Sequence, residues 1–201
     1  MAINTLYLDG GIQKNANRIY NLQKPKNIKL EKMFQQPVFL LLQEKIYKSK
    51  FKLKFHFDKY KYFVTELREV NSFLRGRYFN LIVRNIIGVK NYKLKYEIRK
   101  FEPGNYTLLH DSYKEQPGTD FILDFSRDER SYGGYIAYMT KREELLQIKS
   151  APNALSFVKR DKGVMKYTKY VTHQQKNPII QVVGNIFAKK SLNSFGKKSD
   201  S

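Results

Sequence analysis

The sequence contains no cysteine. That excludes disulfides and thiolate metal sites, and it fits a reducing interior. Histidine is scarce, with three in 201 residues, so imidazole ligands can come only from His56, His110 and His173. No apolar run approaches the roughly 20 residues that a membrane-spanning helix needs. The longest, PVFLLL at Pro37–Leu42, is a core segment at most. The opening MAINTLYLDGG lacks the basic-then-apolar order of a secretory signal, so an intracellular, cytoplasmic location is expected. Also absent are a Walker loop, a G-x-G-x-x-G and a G-x-S-x-G elbow, and with them the commonest nucleotide and hydrolase sites. No RNP, KH or zinc-knuckle motif is present either. Acidic residues are outnumbered, 18 against 38 Lys and Arg, for a formal charge of +20. Such a charge repels itself in the compact state and suits a polyanionic partner. RNA or a ribonucleoprotein such as a ribosome fits better than a membrane.

What is present divides the chain into four stretches. Residues 1–36 are polar, rich in Asn, Gln and Lys, and read as a basic N-terminal arm. Residues 37–91 read as a helical and strand support region. Pro37 opens a helix at VFLLLQEKIYKS. Next, Phe51, Leu53, Phe55 and Phe57 alternate with Lys50, Lys52, Lys54 and His56. Period two predicts a strand with one wet, basic face. Phe73, Leu74, Phe79, Leu81, Ile82 and Ile86 then fall near helical spacing, with a break near Gly76. From 92 to 187 the texture becomes short, aromatic and β-branched, separated by turn clusters such as EPGN, QPGT and DKG. That pattern predicts an all-β sandwich or barrel. Residues 188–201 form a basic tail. Charge is uneven, with a net +11 over 41–100 and −3 over 101–150.

The ordered series GNYTLLHD, DFILDFS, SYGGYIAYM, APNALSFVK and IIQVVGNIF resembles the core of the prolyl-4-hydroxylase-like 2-oxoglutarate/iron dioxygenases, and within them the ribosomal-protein prolyl hydroxylases. FLRGRYFNLIVRNIIGV resembles the helical region that precedes that core. The resemblance covers roughly residues 40–187. It implies an α+β fold: a double-stranded β-helix, or jelly roll, preceded by a helical segment. It also implies a site of two histidines and one carboxylate on one face of an iron, with an arginine gripping 2-oxoglutarate. Carried over residue by residue, the first histidine matches His110. The metal-binding aspartate falls on Ser112, the distal histidine on Lys166, the arginine near Ile179 and the following serine near Gln181. Only the first histidine survives. Asp111 or His173 would have to replace the missing ligands. Adjacent strand residues point to opposite faces, so Asp111 would need a bulge, and His173 falls in an expected turn. His56 and Asp58 also spell H-x-D, but they precede the core. An ammonium at Lys166 opposes a divalent cation, and we expect it to pair with Asp111 or His110.

Two functions follow. The first is a pseudoenzyme: a catalytically inactive dioxygenase-fold protein that binds RNA, needs no cofactor and associates with a ribosome or other ribonucleoprotein. Its candidate nucleic-acid contacts are Lys48, Lys50, Lys52, Lys54, Lys59 and Lys61 in YKSKFKLKFHFDKYKYF, Lys159, Arg160 and Lys162, and Lys189 and Lys190. Lysines can follow phosphates while exposed aromatics stack on bases. Equally, such a strand can bury its aromatics and merely solvate its lysines. The second is an active prolyl-hydroxylase-like oxygenase using Fe(II) and 2-oxoglutarate on a ribosomal or other basic protein. Its metal ligands would be His110, Asp111 and His173.

Overall fold

The computed structural model describes residues 3–109, 117–128 and 130–188. A short 3-10 turn at Thr5–Leu8 leads into helix α1 (Gly10–Leu22). Asp9 caps α1, its Oδ1 accepting from the Ile12 amide at 2.9 Å, which satisfies one of the orphan donors of the first turn. Strand β1 (Asn27–Leu30) and helix α2 (Gln36–Tyr47) follow. Pro37 sits in the first turn of α2, where no amide hydrogen is needed. A hairpin comes next, β2 (Lys52–His56) and β3 (Tyr60–Thr65). Helices α3 (Arg68–Arg75) and α4 (Arg77–Ile82), with a π-turn at Val83–Ile87, complete the helical region. The break at Gly76 is real: a Cβ there would lie 2.8 Å from the Ser72 carbonyl oxygen.

The β core comprises β4 (Tyr92–Phe101), β5 (Tyr106–Thr107), β6 (Gly118–Asp124), β7 (Ile136–Met139), β8 (Glu144–Ile148), β9 (Leu155–Arg160), β10 (Met165–Thr168) and β11 (Ile179–Ala188). Their pairing is nested. β4 pairs with β11, β5 with β10, β6 with β9 and β7 with β8, all antiparallel. A chain folded once as a long hairpin and then wound up gives this order, which is the jelly roll. Two sheets result, β9-β6-β11-β4 and β5-β10-β7-β8. β3 joins them by pairing with both β4 and β5, β2 lies outside β3, and β1 extends the β9 edge.

At β6 the larger sheet is buried on both faces, so this strand reads as a continuous apolar run punctuated by two aspartates. Outward, Phe121, Leu123, Val182 and Ile186 pack on the helical layer of Phe73, Phe79, Ile82 and Ile86. Inward, Ile122, Val158 and Val183 meet Ile136 and Tyr138 of the smaller sheet. Gly184 faces outward, where a Cβ would lie 2.3 Å from the Phe121 ring. Among the described residues, no helix is long and apolar enough to cross a membrane.

Residues 3–36 are not an arm. Ile3, Tyr7, Ala16, Tyr20, Ile28, Leu30, Met33 and Phe34 are all buried in the main core. The segment has few apolar residues, but they are placed well: Ala16 and Tyr20 one turn apart on α1, Ile28 and Leu30 on one face of β1. Asn153 fastens it down. Its side chain accepts from the Phe34 amide and donates to the Phe34 carbonyl, both at 2.9 Å, while its own carbonyl accepts from the Met33 amide at 2.7 Å. Phe34 then lies edge-on to Phe73 at 4.9 Å. The expected basic tail, including Lys189 and Lys190, lies outside the described residues.

Phe34→Ala should therefore cost about 3–5 kcal/mol, read as a lowered urea midpoint with an unchanged slope. A loss below about 1 kcal/mol would mean that this segment does not belong to the core.

Candidate functional site

The inward face of the jelly roll carries charge where an apolar filling is the default. Asp120 on β6 is fully buried, and a buried carboxylate has to be paired and hydrogen-bonded to persist. Three residues meet it. Arg160, at the end of β9, brings Nε to 3.0 Å from Oδ2 with its side chain 2% exposed. Lys166 on β10 reaches over from the smaller sheet, its Nζ 3.1 Å from the same oxygen. Asn185, directly opposite Asp120 in the β6–β11 register, donates to Oδ1 at 2.5 Å. Burial alone would raise the Asp120 pKa. The charges of Lys166 and Arg160 and the hydrogen bonds outweigh it and hold the carboxyl below its usual range.

A second buried carboxylate lies four residues along β6. Asp124 Oδ1 accepts from the Ser126 amide at 2.7 Å. Its Oδ2 accepts from Ser150 Oγ and the Ala151 amide, both at 2.9 Å, and from Gln181 Nε2 at 3.1 Å. A third polar group stands nearer the hairpin. Glu97 accepts from Lys54, from Arg99 Nε at 2.9 Å and from the Tyr62 hydroxyl at 3.2 Å. Burial would raise the Glu97 pKa, but Arg99 and Lys54 pull it below the carboxylate norm. Burial pushes the Tyr62 hydroxyl up to about 12, and the Arg99 guanidinium stacks 4.8 Å over the Tyr62 ring.

The fate of the family positions is now concrete. Lys166 occupies the interior of β10 opposite Tyr138, and its described partner is Asp120, which the sequence reading had not singled out. Asp111, His110 and Ser112 lie outside the described residues. Ile179 is buried in an apolar cluster with Tyr62, Phe101 and Val171. Gln181 is held by Asp124. The nearest cation in register with Gln181 is Arg99 on β4, and it is turned onto Glu97 and Tyr62. His173 is exposed in the turn between β10 and β11, and His56 is exposed at the end of β2. Among the described residues, no group of three or more His, Cys, Asp or Glu is placed to hold a metal ion.

This donor set does not fit an iron site. An ammonium has three donors and no lone pair, and Arg160 adds a second positive charge beside it. Nor does a buried isoleucine, followed two residues on by an engaged glutamine, fit the distal carboxylate of 2-oxoglutarate.

The nucleic-acid candidates separate by exposure. Arg160 is withdrawn from that list: in β9 it points inward, and burial forces it onto Asp120. Lys54 is spent in part on Glu97. Lys50, Lys52 and Lys162 are exposed, as is Lys48, which has only a long contact to Glu44 at 3.9 Å. Lys59, Lys61 and Lys159 are half-exposed. Asp120 itself was legible in principle, since a charge inside DFILDF, a strand buried on both faces, demands a partner.

Asp120→Asn should leave Arg160 and Lys166 facing each other and cost about 3–5 kcal/mol in urea denaturation. The pH dependence has a definite sign. Folded Asp120 is more acidic than in the unfolded chain, so it stabilises the fold at neutral pH. That contribution disappears as pH falls from about 5 through the ordinary carboxylate range and below. The variant should lack this part of the acid limb, and an unchanged acid limb would remove Asp120 from the account.

A family model described as "Oxoglutarate and iron-dependent oxygenase degradation C-term" matches residues 52–193. The chain is 34% identical over 82 residues to the prolyl 3-hydroxylase OGFOD1 of Mus musculus, covering 39% of this chain and 15% of that protein. The Xenopus laevis counterpart gives 34% over 84 residues, 39% of this chain and 16% of that protein. The chain thus matches under a fifth of these relatives' length. In fold it is similar to a Pseudomonas putida prolyl-4-hydroxylase (TM-score 0.61, 8% identity, 87% of this chain and 99% of that one). An oxidoreductase of the 2OG-Fe(II) oxygenase family from Burkholderia pseudomallei gives a TM-score of 0.67 at 9% identity, covering 87% of this chain and 90% of that one. A Trichoplax adhaerens prolyl hydroxylase, solved with a hypoxia inducible factor oxygen degradation domain peptide, gives 0.59 at 12%, covering 87% and 90%. With its nested strand pairing, its helical layer and this match over most of its length, the chain belongs to the oxoglutarate and iron-dependent oxygenase degradation C-terminal family, within the prolyl-hydroxylase-like 2-oxoglutarate/iron oxygenases.

Proposed function

We propose that this chain is a non-catalytic oxygenase-fold module that binds RNA through its basic surfaces, as a component of a ribosome or other ribonucleoprotein in the cytoplasm. The observation that carries the first half is the Lys166–Asp120–Arg160 cluster. The resemblance aligns Lys166 with a ligand position, an ammonium there has no lone pair to offer, and Asp120 engages it from within the protein. No cofactor is needed in this reading.

The second half rests on charge. Of the 38 cationic side chains, those engaged by Glu97 and Asp120 serve the interior, while Lys48, Lys50, Lys52, Lys59 and Lys61 cluster on and beside the β2–β3 hairpin. Lys159 and Lys162 lie at the end of β9 and in the turn after it. Such a surface attracts phosphates with no need for base-specific contacts, and its affinity must fall steeply with salt. If five lysines each neutralise a phosphate of a single strand, the log–log slope is about −3.5.

Two measurements on the purified full chain test this. Iron content and 2-oxoglutarate decarboxylation should both be absent, and a Lys166→His, Ser112→Asp double variant should bind more Fe(II) than the parent. RNA binding should be detectable at low salt with the slope above, and co-sedimentation with ribosomal subunits should be lost at high salt. Stoichiometric iron with 2-oxoglutarate turnover in the parent would overturn the proposal. It would establish instead an active prolyl-hydroxylase-like oxygenase acting on a ribosomal or other basic protein.

A further inference from the structure

Strand β2 and the turn after it bury little of their apolar surface. Leu53, Phe55 and Phe57 are 54%, 56% and 74% exposed. Leu53 and Phe55 alternate along β2 and so share a face, and Phe57 follows in the turn. Across the hairpin, Leu53 is opposite Phe63 and Phe55 is opposite Lys61. The same face is anchored at its base, where the Lys100 ammonium lies 4.8 Å over the Phe51 ring and 4.7 Å over Phe63. Lys52 and Lys54 point to the other face, where Lys54 meets Glu97. Among the described residues, β2 has β3 as its only strand partner.

We propose that this face is a stacking platform for unpaired RNA: Phe55 and Phe57 each receive a base, and Lys50, Lys59 and Lys61 follow the backbone. This rests on the RNA-binding reading above and sharpens it to single strands. Two features select the occupant. The first is charge complementarity, since residues 48–61 carry six lysines against one aspartate, Asp58. An apolar partner protein would have to desolvate those ammonium groups beside its own interface, whereas a phosphate backbone neutralises them. The second is spacing. Side chains two apart on a strand are about 7 Å apart, roughly twice the 3.4 Å rise of stacked nucleotides. Successive bases on Phe55 and Phe57 must therefore be splayed, which an unpaired strand permits and a duplex does not. Aromatic stacking of this kind tolerates any base, in keeping with the absence of a sequence-reading motif.

The test uses the full chain, a labelled oligo-uridine of about 15 nucleotides and a blunt RNA duplex of equal length, by fluorescence anisotropy across a salt series. The parent should prefer oligo-uridine. Phe55→Ala, Phe57→Ala should weaken oligo-uridine binding at least about tenfold, with the salt slope and the duplex affinity unchanged. Both side chains are exposed, so the unfolding midpoint should not move. Lys59→Gln, Lys61→Gln should instead flatten the slope for both RNAs. Equal binding of oligo-uridine by parent and phenylalanine variant overturns the platform and leaves the RNA reading intact. Equal losses on both RNAs also overturn it. Failure of the parent to bind either RNA sinks the broader reading itself. Polyglutamate that displaces RNA from the parent but not from the variant would assign the face to an acidic protein instead.

Discussion

An ammonium from one sheet meets a carboxylate from the other inside the jelly roll, and the rest of the interior is arranged around that contact. Removing Asp120, Lys166 and Arg160 from water costs several kcal/mol per ion, which only close geometry and additional hydrogen bonds can offset. Asn185 supplies one of those bonds from the strand beside Asp120. Because the cost of a mismatch is so high, the contact constrains the register of β6, β9, β10 and β11 together. An apolar filling of equal volume need not be less stable, but it would tolerate sliding that a single carboxylate between two cations does not. In a jelly roll that carries out oxygenase chemistry, a metal and a co-substrate ask for open coordination positions in this space. Here the described part of that space holds Asp120 between Lys166 and Arg160.

Much of the fold was legible because its patterns are strong. The run of short strands followed from aromatic and β-branched segments between turn clusters, their jelly-roll order from the resemblance, and the helical layer from spacing around Phe73, Phe79 and Ile82. The first 36 residues were misread because composition was weighed above placement. Ile28 and Leu30 are only two apolar residues in a polar stretch, yet on a strand they share the face that docks. Burial there also depends on Asn153, more than a hundred residues away, which no local pattern can reveal. At the site, the substitution at Lys166 was visible, but its partner was not. Asp120 is hidden in an apolar run, and Arg160 reads as a surface cation because it stands beside Lys159 and Lys162 in VKRDKG.

The basic surface and the quiet interior belong to one design. Lys54, Arg99, Arg160 and Lys166 share two carboxylates, Glu97 and Asp120, while the hairpin and the turn after β9 present exposed lysines to solvent. Exposed phenylalanines on a charged hairpin would be an aggregation hazard in a neutral protein. Here the surrounding lysines keep copies apart while leaving the rings available.

The nested pairing of strands has a consequence for how the chain is made. β7 and β8 are neighbours in sequence and can pair as soon as both exist, then β6 with β9, then β5 with β10. The longest ladder, β4 with β11, closes last, because its second strand is the last to leave the ribosome. The Asn153 clamp on Phe34 likewise cannot form until more than a hundred further residues have been synthesised. Assembly therefore proceeds from the middle outward, and loop-closure entropy at each step makes such a high-contact-order fold slow to complete. Until β6 and β11 exist, the helical layer waits with its apolar face uncovered, a folding problem more usual in larger domains.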